Sequence, residues 1–221
     1  MRAYRRNRRD SHFFWTVSLT FSAVAALMYC LASWQFPGMA SWFLLYYIFG
    51  ALWMPSLMGL GSLSLVMSRR VVWMVACGIA VLGLTGTVFL TLAPMHTESL
   101  LQLRGGAGTG VVAERADWLI PLIVMNSFGT VAVIGVALWS AWQAWQHKVD
   151  RRFFFGNVWL AGGVLMIAAA GSGARLGLPE LFWVIMFAGW LVTFYGYSLL
   201  TPRASVASVG AAQRSAMKHG E

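Results

Sequence analysis

Six apolar runs, none containing Asp, Glu, Lys, Arg or His, decide what this chain can fold into. They occupy residues 13–36, 39–67, 71–93, 118–142, 154–173 and 181–200. About 20 such residues cross the hydrocarbon core as a helix. Helix is the form expected, because within a single segment only a helix pairs all its own backbone polar groups in lipid. Composition agrees. Of 221 residues, 59% are hydrophobic and 10% charged, too few charges to cover the surface of a soluble domain. The expected fold is all-α, a polytopic transmembrane bundle of six spans with both termini cytoplasmic. Residues 1–12 form a basic cytoplasmic segment, 13–200 the transmembrane domain with an outer loop at 94–117, and 201–221 a flexible cytoplasmic tail.

The orientation comes from the basic residues. With the N terminus inside, the cytoplasmic side carries Arg2, Arg5, Arg6, Arg8, Arg9, Arg69, Arg70, Lys148, Arg151, Arg152, Arg203, Arg214 and Lys218. The other side keeps Arg104, Arg115 and Arg175. Cytoplasmic loops retain Lys and Arg, so the net charge of +9 reads as a topology signal rather than as a nucleic-acid footprint. Five arginines followed by so long an apolar run also read as an anchoring first span, not a cleavable signal.

Two breakers punctuate the runs. Pro37-Gly38 separates the first two spans with a tight turn. Pro55 lies inside the second, where a missing N–H bends the helix near Trp53-Met54. The loop at 94–117 is the one connection too long for a simple turn, and long loops are often functional. Its glycines Gly105, Gly106, Gly108 and Gly110 fit a mobile spacer equally well. A short interfacial helix is expected at 111–115.

Small residues suggest where helices meet, since membrane helices gain packing by close backbone approach. Ser18, Ser22, Ala26 and Cys30 recur every four residues in the first span, as do Ala161, Leu165, Ala169 and Gly173 in the fifth, with Gly162, Gly163, Ala168, Ala170, Gly171 and Ser172 beside them. With Gly78, Gly83 and Gly86 in the third, these make the first, third and fifth spans the expected tight centre. The Leu-, Phe- and Trp-rich second and sixth are expected to face more lipid. On that reading, leucine at Ser22 or Gly171 lowers stability. Cys30 and Cys77 read as small packing residues at depths too different for a disulfide.

The polar residues offer few sites. Asn126, close to Ser127 and Thr130, is the strongest polar side chain at depth; it either binds a polar head group or joins two helices. Arg175, after a glycine-rich helix end, suits a phosphate or carboxylate. With His96, Glu98, Glu114, Arg115 and Asp117 it forms the one cluster of ionisable groups on the outer side. No span carries the charge that pumps and voltage sensors use, nor the lysine of a retinal protein. No zincin motif, P-loop or nucleophile elbow occurs. No catalytic residue, metal site or cofactor is therefore assigned. The expected partners are the lipid bilayer and protein subunits or further copies of the chain, not nucleic acid.

Three functions fit this inventory. The leading one is a non-enzymatic helix-bundle subunit or binder of an apolar ligand, lipid or quinone-like. The second is a small oligomeric transporter or channel unit for a neutral solute, with Asn126 and the Pro55 break lining its path. The third is a membrane enzyme with an outer-face site.

Overall fold

A computed structural model describes residues 2–101, 103, 106–113, 115–148 and 150–201. Six helices in it are long and apolar enough to cross a membrane: Asp10–Ser33 (the apolar part of a helix beginning at Arg2), Met39–Val66, Arg69–Leu92, Ala116–Gln146, Arg151–Arg175 and Phe182–Leu200. They are called the first to sixth spans below. Among the described residues the one β-type pairing is the isolated bridge between Met95 and Val112. Glu114, Arg104, Gly105 and the tail beyond Thr201 lie outside the described residues.

The second span is the hub. Of its most apolar 18 residues 56% are buried in the bundle, against 17–39% in the others. Phe43, Leu52 and Leu60 are almost wholly enclosed, as is Met125 of the fourth span. This corrects the expectation that the second span faces lipid. In a bilayer, large apolar side chains suit lipid and protein neighbours alike, so their abundance does not say which side is outward. The sixth span, by contrast, is the least buried. The third packs outside the second and fourth, with Trp53 against Gly83 and both Leu52 and Pro121 against Gly86.

The first span meets the second through a seven-residue series. Ser11, Ser18, Ala25 and Ala32 are all buried. The hydroxyls of Ser11 and Ser18 donate to the carbonyls of Gly61 and Met54, at 2.9 and 2.8 Å, and Ala25 packs on Gly50. Seven residues turn a helix through about 700°, only ~20° short of two full turns, whereas four residues overshoot one turn by ~40°. A four-residue stripe therefore drifts away from the interface. Of the expected stripe, Ser18 sits in the seam, while Ser22 and Ala26 line a cavity. Cys30 is exposed, as is Cys77 in the third span, and both are free thiols rather than packing residues.

The fifth and sixth spans show the same correction. Gly156 and Gly163 face Gly196 and Gly189 so closely that a Cβ built on Gly163 would lie 2.7 Å from the Gly189 carbonyl oxygen. Gly162, Gly171 and Gly173 have open space where a side chain would go, and Ala169 is exposed. The seam again repeats every seven residues and includes buried Ala170. Asp150 starts the fifth span by accepting a hydrogen bond from the Arg152 amide at 3.0 Å, which satisfies one free N–H of the first turn.

Going round the bundle, the first span packs on the second, the second on the fourth, the fourth on the fifth and the fifth on the sixth. The circle stays open. Apart from a contact between Tyr29 and Trp183 near one end, the sixth and first spans build no extended interface.

Candidate functional site

The open circle encloses a cavity of about 960 Å³. That is at the upper end of the range for small-molecule sites. Every span but the third lines it, as do Ala107 and Thr109 of the 94–117 segment. The walls are mainly apolar or aromatic, with Leu19, Met54, Met58, Trp183, Phe187 and Trp190 prominent. Of the sequence candidates, Asn126 and Arg175 both line it, together with Ser127 and Thr130. His96, Glu98, Arg115 and Asp117 are exposed and are not among the lining residues. Of the ionisable cluster expected on one side, Arg175, itself exposed, lines the cavity, and the described loop charges do not line it. Among the described residues no three His, Cys, Asp or Glu approach closely enough to hold a metal.

Asn126 owes its position to a backbone fault in the second span. Residues Tyr47–Trp53 adopt a π-helical turn, with the Met54 amide donating to the Phe49 carbonyl five residues back. Pro55 follows and has no N–H to give the carbonyl of Ala51, four residues earlier. Asn126 Nδ2 donates to that carbonyl at 2.7 Å and to the Leu122 carbonyl of its own helix at 2.8 Å. Two carbonyl partners fix the amide orientation, because only the nitrogen can donate. Its Oδ1 has no hydrogen-bond partner among the described residues. Asn126 thus joins two helices and retains an acceptor on a cavity-lining residue. The fault is held from other sides too. Gly129 lies against the Pro55 carbonyl, Ser18 donates to the Met54 carbonyl, and Trp53 Nε1 donates to Thr87 Oγ1 at 3.0 Å.

Arg175 occupies the last turn of the fifth span, where the helix carbonyls favour a cation. Its Nη2 donates to the Tyr47 hydroxyl at 3.3 Å, tying the fifth span to the start of the π turn. Among the described residues it is the one charged residue that lines the cavity.

The 94–117 segment caps this end of the bundle. Leu100, Leu103, Ala107, Val111 and Val112 are buried, and the helix in it is Thr97–Leu101. That replaces the helix expected at 111–115, where Val111 and Val112 turn inward instead. His96 N donates to the Val111 carbonyl at 2.8 Å and Ala113 N to the Pro94 carbonyl at 2.9 Å. Tyr29 donates its hydroxyl to the Gly106 carbonyl at 2.6 Å, and Trp183 Nε1 donates to the Tyr29 oxygen at 3.1 Å. Gly108, at φ +72°, sits against the Phe43 ring in a conformation and a space that exclude a side chain. Gly108 thus serves a fitted cap, whereas Gly110 is exposed with open space where a Cβ would go.

Tyr29, Tyr47 and Trp183 are the site residues that sequence reasoning missed. A signal was present: each places a polar atom in or beside an apolar run, where it needs a partner. No family model matches the chain, and neither the curated proteins nor the solved structures give a match.

Proposed function

We propose that this integral membrane protein is a non-enzymatic binder of an apolar ligand, lipid or quinone-like, resident in the cell membrane with both termini cytoplasmic. The observation that carries the reading is the 960 Å³ cavity inside the bundle, mostly apolar, with a few convergent polar groups. Close packing is the rule in protein interiors, and the fifth–sixth seam meets that standard while the space beside it stays open. The orientation rests on the basic residues of the 1–12 segment and of the turns at 68–70 and 148–152.

Native mass spectrometry of the full chain, released gently from membranes, tests this reading. One retained apolar molecule per chain is the expected result. A stripped monomer that also fails to take up added lipid or quinone overturns it.

One observation favours transport of a neutral solute as a second reading. Pro55, the π turn and Asn126 lie on the cavity wall, and discontinuous helices are frequent at transport sites. Solute flux into liposomes carrying the purified chain separates the two. The third reading, an enzyme, would need acid–base groups within reach of one substrate; His96, Glu98, Arg115 and Asp117 do not share the cavity wall.

A further inference from the structure

We infer that the ligand is an apolar molecule bearing a neutral hydroxyl, an alcohol or a phenol, which donates to Asn126 Oδ1 and accepts from the Thr130 hydroxyl near the middle of the membrane. The inference rests on the apolar-ligand reading above and specifies its ligand. Three observations converge on it.

The first is the hydrogen-bond inventory of the amide. A side-chain amide has two N–H bonds and one acceptor oxygen. Asn126 directs its nitrogen to two protein carbonyls, those of Ala51 and Leu122, so what it offers the cavity is an acceptor alone. Among the described residues, the enclosed side-chain polar atoms left without a partner are the hydroxyl oxygens of Ser33 and Thr193. Asn126 Oδ1 also has no partner but is not enclosed, so it is open to the cavity that its residue lines. A ligand that only accepts, such as a ketone, an ester or an ether, gains nothing from it. A ligand with an O–H does.

The second is the residue one turn along. Thr130 stands four positions after Asn126 in the fourth span, a spacing that puts both on one helix face, and it lines the same cavity. Its hydroxyl makes no hydrogen bond among the described residues, and a hydroxyl both donates and accepts. The pair thus presents an acceptor and a donor on one face. A single ligand hydroxyl satisfies both, because its hydrogen goes to Asn126 and its oxygen receives from Thr130.

The third is depth. Ala51, whose carbonyl the Asn126 amide holds, stands about 18 Å along the second span from Met39 and about 22 Å from Val66, at ~1.5 Å per residue. The acceptor therefore lies near the midplane of a ~30 Å hydrocarbon core. The lining continues on both sides of it, to Tyr46 in one direction and Met58 in the other. A charged or zwitterionic head group is costly at that depth, whereas a hydroxyl with both its hydrogen and its oxygen paired is not. Met54, Met58, Val164 and Trp190 make an apolar wall beside the pair, which suits a hydrocarbon or isoprenoid body. Such a molecule reaches the cavity from the bilayer, since the first and sixth spans build no extended interface and Leu19 and Phe187, on the two sides of the gap, are exposed.

Alcohols and phenols share this chemistry, so the test includes both. Binding of farnesol, farnesyl methyl ether, decylubiquinol and decylubiquinone is measured on the full chain in oxygen-free phosphatidylcholine nanodiscs by native mass spectrometry. Farnesol is expected to bind about fivefold tighter than its ether, or the quinol about fivefold tighter than the quinone, the value of one neutral hydrogen bond. The pair with the larger ratio identifies the source of the hydroxyl. Asn126→Leu is expected to bring that ratio to one, while Thr130→Val weakens all four probes and leaves it standing. Gly171→Phe, whose side chain would enter open space on the cavity wall, is expected to weaken all four. Ratios of one in both pairs for the wild type overturn the hydroxyl assignment, as does a ratio that survives Asn126→Leu. Unchanged binding in Thr130→Val overturns the part given to Thr130. If Asn126→Leu fails to fold, the same readout is taken on Pro55→Ala/Asn126→Leu, which supplies a backbone N–H for the Ala51 carbonyl in place of the lost amide, and the wild-type comparison decides in either case. Unchanged binding of all four probes in Gly171→Phe overturns the cavity reading itself, so the two failures are distinguishable.

Discussion

The two sides of the fifth span make opposite use of glycine. On one side Gly156 and Gly163 bring its backbone against the sixth span, with Gly189 and Gly196 answering from across the seam. On the other, Gly171 has nothing within 4 Å of where its Cβ would be, and with Ser172 and Ala168 it lines the cavity. In the first case the missing side chain admits a neighbouring helix. In the second it leaves room that no protein atom fills. Composition is the same on both sides; the helical phase differs. A glycine-rich membrane helix therefore carries no single message, and substitutions at its two faces should separate cleanly.

The largest effect is expected at the seam. Gly163→Leu drives a side chain into the Gly189 carbonyl and Thr193, where backbone cannot step aside. A loss of about 3 kcal/mol or more is expected, at the upper end for overpacking. Size-exclusion profiles and thermal melts should show little folded protein, and normal melting would break the comparison.

Gly129→Ala comes next, because its Cβ would meet the Pro55 carbonyl in the faulted turn. An expected cost of about 2 kcal/mol should appear as a lowered melting temperature with the fold retained.

Asn126→Leu removes the donor that serves the Ala51 carbonyl. Hydrogen bonds between membrane helices average ~0.6 kcal/mol, and a carbonyl left without its donor raises the cost to about 1–2 kcal/mol. A thermal shift smaller than that of Gly129→Ala is the outcome to look for.

The smallest stability effect is expected at Gly171→Leu, which fills open space and removes a helix-interior glycine. Melting should be unchanged within about 0.5 kcal/mol, while retention of bound lipid falls. A destabilisation matching that of Gly163→Leu would show that the open side is packed after all.

The first span tells the same story in serine. Ser18 and Ser22 are four residues apart and chemically alike. Ser18 is enclosed and bonded to the Met54 carbonyl, whereas Ser22 lines the cavity. The series Ser11, Ser18, Ala25 and Ala32 was present in the sequence, but so was the four-residue stripe through Ser22 and Ala26. Which of them met a partner depended on where the second span lay. The polar candidates were legible to the same degree. Asn126 was visible as an amide at depth, yet its partner is a backbone carbonyl set free by Pro55, and carbonyls leave no mark in a sequence. Arg175 was visible as a helix-end cation, but that it lines the cavity while His96, Glu98, Arg115 and Asp117 do not depended on how the cap folded.

The sequence by itself determined that the chain forms six apolar helices, because charge-free runs of this length have no other way to satisfy their backbone in lipid. It also determined where they break, since Pro37-Gly38 and Pro55 act through their own covalent geometry. Only the tertiary structure decided which helix is central, which small residues touch, and that the circle of helices stays open between the first and sixth spans. Those outcomes depend on matching two surfaces at once. In a bilayer the apolar side chains that line an interface are as much at home facing lipid, so hydrophobicity along one helix does not reveal its partner.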